Sequence, residues 1–261
     1  MGEGMSDGVL DPVVVENPDG AGPILIVCDH ASNRIPDDYQ SFGFAHDALA
    51  THIAWDPGAL GVARRLSARL DAPLLWPDAS RLIIDCNRAP DAASLIVTES
   101  EGRKVEANCR LTPAERSRRL AEIHAPYHAA IDGCLTRRLA AGLTTALIAI
   151  HSFTPVFLGN ARPWQVGIVF DADRRLADHL IRGLKSDPAL NVGINEPYAP
   201  ADHVYYTIDR HARPRGLPAV MIEIRNDEIG DEAGQLTWAD RLADLFLCAE
   251  PDLAEASHEA A

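Results

Sequence analysis

Short apolar runs rich in β-branched residues recur at Val13–Val15, Ile24–Cys28, Leu74–Trp76, Leu82–Ile84, Leu95–Val97, Ala146–Ile150, Val166–Phe170 and Ala219–Ile224. Several are almost unbroken Val, Ile and Leu, the pattern of strands covered on both faces of a sheet. Segments with helical start signals lie between them. Asp56-Pro57 reads as N-cap and first helical residue of a helix reaching Leu70, with Pro57 preset for the first turn. Thr112-Pro113-Ala114-Glu115 is a capping box that opens a long helix to Ala141, kinked at Pro126. Further helices are expected over Arg174–Lys185 and Thr237–Ala249. Buried strands alternating with helices predict an α/β fold: a single-domain three-layer sandwich with a mixed, largely parallel sheet and helices on both faces. The domain is expected over residues 1–250, with a flexible polar tail over 251–261.

Composition narrows the classes of partner. The chain has 261 residues, 47% hydrophobic, a formal net charge of -14 and a pI near 5.0. That balance opposes nucleic-acid binding, which rests on Lys and Arg displacing counterions, so an anionic small substrate needs a local arginine cluster. Apolar stretches are strand-sized and Met1–Leu10 lacks an apolar signal core, which leads to the expectation of a cytoplasmic protein without a membrane partner. Met1-Gly2-Glu3-Gly4-Met5-Ser6 fits the loose N-myristoylation pattern, but no basic patch follows to supply a second membrane signal. Five scattered cysteines without a C-x-x-C pair read as reduced thiols, and Cys28 and Cys86 as small apolar strand residues. A homo-oligomer is compatible with this composition.

Polar signatures sit at the ends of the apolar runs. His30 follows Ile24–Cys28 and His151 follows Ala146–Ile150, so a parallel sheet delivers both imidazoles to one edge, where they can bind one divalent metal, expected to be zinc. A catalytic zinc typically takes three protein ligands and keeps one position open. Asn33, three residues after His30, is a poor zinc ligand; Asp56 is the better candidate, in competition with its role as helix cap. Glu223 lies in a run too apolar to bury a carboxylate idly and reads as general base, or as the partner of an arginine such as Arg225, which a regular strand points to the same face. Arg81, Arg88 and Arg225 offer guanidinium forks for a substrate carboxylate, and Asn87 adds an amide. Ser152 lacks the G-x-S-x-G elbow and is assigned to substrate binding rather than nucleophilic attack. His124 and His128 have i, i+4 spacing without an H-E-x-x-H pattern and read as surface or pocket-edge residues. Neither a G-x-x-x-x-G-K-[ST] loop nor a G-x-G-x-x-G fingerprint occurs, which argues against the usual nucleotide sites.

The segments Asp29–Pro36 (DHASNRIP), His52–Ala59 (HIAWDPGA), Arg81–Arg88 (RLIIDCNR), His151–Pro155 (HSFTP) and Gly216–Asp227 (GLPAVMIEIRND) together resemble the N-formylglutamate amidohydrolase family. That family is similar in turn to the zinc carboxypeptidase and aspartoacylase fold. The resemblance implies His30 and His151 as zinc ligands, Arg81 for carbonyl polarisation, Asn87 and Arg88 for the substrate carboxylate, and Glu223 as base. Asn33 departs from the pattern by standing where a ligand Glu is expected, which moves weight to Asp56. The implied reaction is hydrolysis of a small anionic N-acyl amino acid, with N-formyl-L-glutamate and water giving L-glutamate and formate, a step of histidine degradation. Two alternatives share these residues: a zinc carboxypeptidase-like peptide hydrolase, and a non-catalytic binder of an acidic amino acid or metal.

Overall fold

A computed structural model describes residues 12–36, 38, 39 and 49–259. The N-terminal lipidation pattern lies outside the described residues. Seven strands form one sheet: β1 (Val13–Glu16), β2 (Ile24–Val27), β3 (Leu74–Pro77), β4 (Ala146–Phe153), β5 (Val166–Val169), β6 (Val192–Ile194) and β7 (Ala219–Arg225). Their order is β1-β3-β2-β4-β7-β5-β6, with β3, β2, β4 and β7 parallel to one another. β1 runs antiparallel to β3, and β5 antiparallel to β7, so the sheet is mixed.

Alternation along the strands divides the core in two. Ile24, Ile26, Ile148, Ile150, Val220 and Ile222 face one side, beneath helices α1 (Ala59–Leu70), α4 (Arg175–Lys185) and α6 (Glu232–Glu259). Leu25, Val27, Leu147, Ala149 and Met221 face the other, beneath α3 (Ala125–Ala140) and α5 (Tyr206–His211). Both faces of the central strands are dry, as their unbroken hydrophobicity requires. Among the described residues no helix is long and apolar enough to cross a membrane.

Two apolar runs do not become strands. Leu82–Ile84 and Leu95–Val97 are irregular or 3-10 segments, yet largely buried. Their backbone groups are satisfied by other means than a ladder: the Asn108 amide donates to Leu82 O at 2.8 Å, Arg119 to Ile83 O at 2.9 Å, and Asp85 N–H to Leu95 O at 2.8 Å. Burial made them apolar, and periodicity alone does not separate that from a strand. Strand β6 and helix α5 appear where the sequence pattern announces no element, and α6 begins before the expected Thr237.

The capping box at Thr112 is present, its hydroxyl accepting from Glu115 N–H at 3.1 Å. It opens α2 (Pro113–Arg119), which passes through a π turn (Leu120–His124) into α3. Pro126 explains the irregularity. It has no N–H to return to the carbonyl one turn back, and its ring crowds that carbonyl; the preceding turn widens so that Ala125 N–H reaches Leu120 O.

Candidate metal-dependent active site

The carboxyl ends of β2, β4 and β7 converge on one spot. His151 and Glu223 are partners across the parallel β4–β7 ladder, so their side chains leave the same face of the sheet as neighbours. His30 comes from the turn just after β2. Asp56 precedes α1, but it does not cap that helix with its side chain. The helix begins at Ala59, and the cap position is Gly58, in a left-handed conformation at φ 82°. Only the backbone carbonyl of Asp56 takes part, accepting from Ala59 N–H at 3.2 Å, and the carboxylate is free to enter the site. The capping assignment is thus corrected, and the ligand assignment is the one the geometry favours.

Each imidazole is held from behind by a buried carboxylate. His30 donates Nε2–H to Asp85 Oδ1 at 2.7 Å, and His151 Nε2–H goes to Asp29 Oδ2 at 2.9 Å. That leaves both Nδ1 atoms facing Asp56 Oδ2, at 3.4 Å from His30 and 2.9 Å from His151. The His30 Nδ1 atom is buried and among the described residues has no hydrogen-bond partner. One donor atom each from His30, Asp56 and His151 lies within 4.8 Å of the others, a group that could hold a metal ion. Two imidazoles and a carboxylate with an adjoining cavity fit a catalytic divalent site with an open position, and carboxylate-backed histidines are the usual supports of such ligands.

The electrostatics agree with dense pairing. Burial alone would raise the Asp29 carboxyl, but the hydrogen bond from His151 and the nearby positive charge carry it down to about 2. Burial also opposes ionisation of Asp85, and Arg88, His30 and Arg81 outweigh it, holding this carboxyl well below the usual range. Burial disfavours the charged His151 ring, yet hydrogen bonds to Asp29 and Asp56 lift it well above its ordinary value. Glu223 is the exception. Its burial raises the carboxyl to about 7, against the lowering influence of His151, and among the described residues its Oε2 has no hydrogen-bond partner.

A cavity of about 70 Å³ is lined by His30, Asp56, His151 and Glu223 together with Arg81, Asn87, Arg88, Ser152 and Tyr198. It adjoins a cleft of about 240 Å³ that shares Asp56, Arg81, Arg88, Ser152 and Tyr198. Two short hairpins contribute Ser100, Glu101 and Phe157 to the outer wall. Arg81 is bound to Asp85 at 3.0 Å and lies 3.5 Å from Asp56. Arg88 donates to Asn87 O at 2.9 Å and stands 3.9 Å from Asp85. Asn87 is tied into the scaffold, its amide donating to Val204 O and accepting from Thr207 N–H at 3.0 Å. Ser152 donates to Pro57 O at 2.9 Å.

Arg225 is not brought to this place. It pairs with Asp227 at 2.7 Å and Glu228 at 3.0 Å and lines neither cavity. The strand ends at Arg225 and a 3-10 turn follows, so two-residue periodicity no longer aims its long side chain. Asn33 donates to Leu49 O at 2.9 Å, away from the three candidate ligands. His124 and His128 are buried rather than at the surface. Cys28 and Cys86 are buried, and burial pushes both thiols well above their usual pKa, as inert packing residues require. Sequence reasoning gave no role to Asp29, Asp85 or Tyr198. The first two lie inside the quoted motifs beside His30 and Asn87; nothing local marks Tyr198.

A family model described as N-formylglutamate amidohydrolase matches residues 22–230. A solved structure of a gene product from Agrobacterium tumefaciens is similar, with 43% identity over 91% of this chain and 94% of that one and a TM-score of 0.89. The N-formylglutamate amidohydrolase of Ralstonia eutropha JMP134 shares the fold at 21% identity, covering 96% of this chain and 99% of its own, with a TM-score of 0.66. No curated protein matches the chain.

Proposed function

Because the chain belongs to the N-formylglutamate amidohydrolase family, hydrolases of linear C–N amide bonds, we propose that its site cleaves the acyl amide of a small N-acyl amino acid, N-formyl-L-glutamate first among them. The observation that carries this reading is the His30–Asp56–His151 group set against the buried carboxylate of Glu223 at the floor of one cleft. A divalent metal, zinc by its preference for this donor set, would be held by those three residues and would supply Lewis acidity toward water and the acyl carbonyl.

The protein's own groups account for the remaining work. Glu223, whose Oε2 is unclaimed, is placed to take a proton from the attacking water as the new C–O bond forms. The same proton then goes to the leaving nitrogen as the C–N bond breaks, giving the free amine and a carboxylic acid, which then ionises. Arg88 serves the substrate carboxylate, because its fork opens on both cavities and is only distantly paired with Asp85. Asp29 and Asp85 hold the imidazoles in one orientation so that no reorganisation accompanies the reaction.

The test is a panel of N-formyl, N-acetyl and longer N-acyl derivatives of Glu, Asp, Gln and His, assayed with metal-depleted and zinc-reconstituted protein. Turnover of the N-formyl acids only after reconstitution supports the reading. Equal turnover of amino-acid amides and free acids would remove the carboxylate role and favour a peptide hydrolase. Within that panel Glu223→Gln should keep its metal and fold while turnover falls by ~10²-fold or more.

A further inference from the structure

The geometry points to Tyr198 as a catalytic residue of this site: its phenol O–H is the hydrogen-bond donor for the negative oxygen that develops on the acyl carbon. This rests on the proposed hydrolysis and assigns a task for which the neighbouring hydroxyl of Ser152, committed to Pro57 O, has no hydrogen to spare.

The backbone explains how a loop tyrosine arrives there. Gly167 on β5 pairs with Glu223 on one side and with Gly193 of β6 on the other, so all three share a face of the sheet. A Cβ on Gly167 would meet the carbonyl oxygen of Glu196 at 2.0 Å, and one on Gly193 at 2.5 Å. Two facing glycines therefore cut a notch into which the Glu196 carbonyl sinks. The chain bearing Tyr198 is lowered onto the sheet beside Glu223, and Tyr198 lines both the inner cavity and the outer cleft.

The phenol is oriented as well as placed. Arg162 stacks over the Tyr198 ring at 4.9 Å and over Phe157 at 4.5 Å, and it donates Nη1–H to the Tyr198 oxygen at 3.2 Å. A guanidinium can only donate, so the oxygen accepts there and its own hydrogen must go elsewhere. Among the described residues nothing accepts it. Burial and the nearby Glu223 carboxylate raise the phenol's pKa, which keeps that hydrogen in place.

Elimination strengthens the assignment. Arg81 is drawn onto Asp85 at 3.0 Å and lies 3.5 Å from Asp56, so its fork faces carboxylates. Asn87 spends its side-chain hydrogens on Val204 O and Met221 Sδ and Ser152 its own on Pro57 O, and both histidines are turned toward carboxylates and the metal position. Arg88 is then left for the substrate carboxylate and Tyr198 for the oxyanion. A hydrogen bond that strengthens as charge builds on the oxygen accelerates the step, whereas equal strength before and after would only tighten binding.

The experiment compares wild type, Tyr198→Phe and Arg162→Met as zinc-reconstituted enzymes on an N-formyl amino acid and on its N-thioformyl counterpart, whose sulfur is a poor acceptor. Tyr198→Phe should lose about 10²-fold in kcat on the oxygen substrate, the scale of one oxyanion donor, with KM within about threefold and metal content unchanged. On the thioformyl substrate the loss should shrink to about tenfold or less. Arg162→Met should lose a smaller share of kcat in the same sense, and stands in if Tyr198→Phe does not fold. Unchanged kcat, a loss falling on KM, or equal losses on both substrates would overturn the assignment. A wild type inactive on every N-acyl amino acid would overturn the functional reading and this inference with it.

Discussion

Two groups of buried histidines lie on the same side of the sheet and behave as opposites. His30 and His151 are backed by Asp85 and Asp29 and converge on Asp56. His124, His128 and His211 are buried to the same degree but meet carbonyls and one another. His124 donates Nε2–H to Arg88 O at 3.0 Å and His128 donates Nε2–H to Cys86 O at 3.0 Å, which leaves His128 Nδ1 to accept from His211 Nε2–H at 2.9 Å. Burial pushes His128 down to about 2 and His211 to about 4, while carboxylate partners lift His151. Burial therefore does not decide what a histidine becomes. A carboxylate behind the ring prepares it for a cation, whereas a ring that meets only carbonyls and other rings is left neutral by its burial and serves as a strut, here under the Cys86–Arg88 segment.

That contrast can be broken at the cation side first. His30→Ala or His151→Ala removes one of the three proposed ligands, and metal content by elemental analysis should collapse together with turnover, beyond the ~10²-fold scale of losing a supporting partner. Retained metal and activity in both variants would dissolve the distinction between the two groups. Asp85→Asn and Asp29→Asn test the support itself, with metal affinity measured by competition against a chelator. Each should weaken binding by ~10–100-fold while the three ligands stay in place.

The strut side gives the smallest and most selective effect. His128 and His211 have folded pKa values below the unfolded ~6.5, so the unfolded chain takes up protons first as pH falls. Their contribution is neutral above pH ~6.5, and stability drains below it, by about 1.4 kcal/mol per pH unit for each ring until its folded pKa is reached. The groups facing the pair, His124, Arg210, Arg215, Asp132 and Asp29, are common to wild type and variant. His211→Gln keeps a donor for His128 and removes one titrating ring, so its urea midpoint should fall less steeply between pH 6.5 and 4. Parallel slopes would place the acid sensitivity elsewhere.

Much of this arrangement was legible in the residues, and the misses share a cause. His30, His151 and Glu223 stand at or near the ends of apolar runs, and a parallel sheet turns such positions into neighbours. Asp56 was visible as a residue with two vocations; only Gly58, with its left-handed φ, shows why the carboxylate leaves the helix. Arg225 was misplaced because it is the last residue of its strand, where its long side chain turns to Asp227 and Glu228 of the following turn. Leu82–Ile84 looked like a strand because burial, and not pairing, set its composition. The His128–His211 contact joins positions 83 apart, Tyr198 is placed by a notch of two glycines on neighbouring strands, and no local pattern records either.

The π turn at Leu120–His124 bears on which insertions and deletions the gene can tolerate. One residue more than a regular helix needs is accommodated there, so the segments before and after it are out of phase with each other. Deleting Ala121 would yield a more regular helix, yet it would rotate everything upstream by about 100° and shift it by about 1.5 Å relative to His124. Arg119 would then leave Ile83 O and Asn108 Oδ1, which it holds at 2.9 and 2.7 Å. The surplus residue thus works as a phase adjuster: it lets one continuous rod serve two separately registered tasks, clamping the irregular Leu82–Ile84 segment at one end and propping the arginine loop at the other.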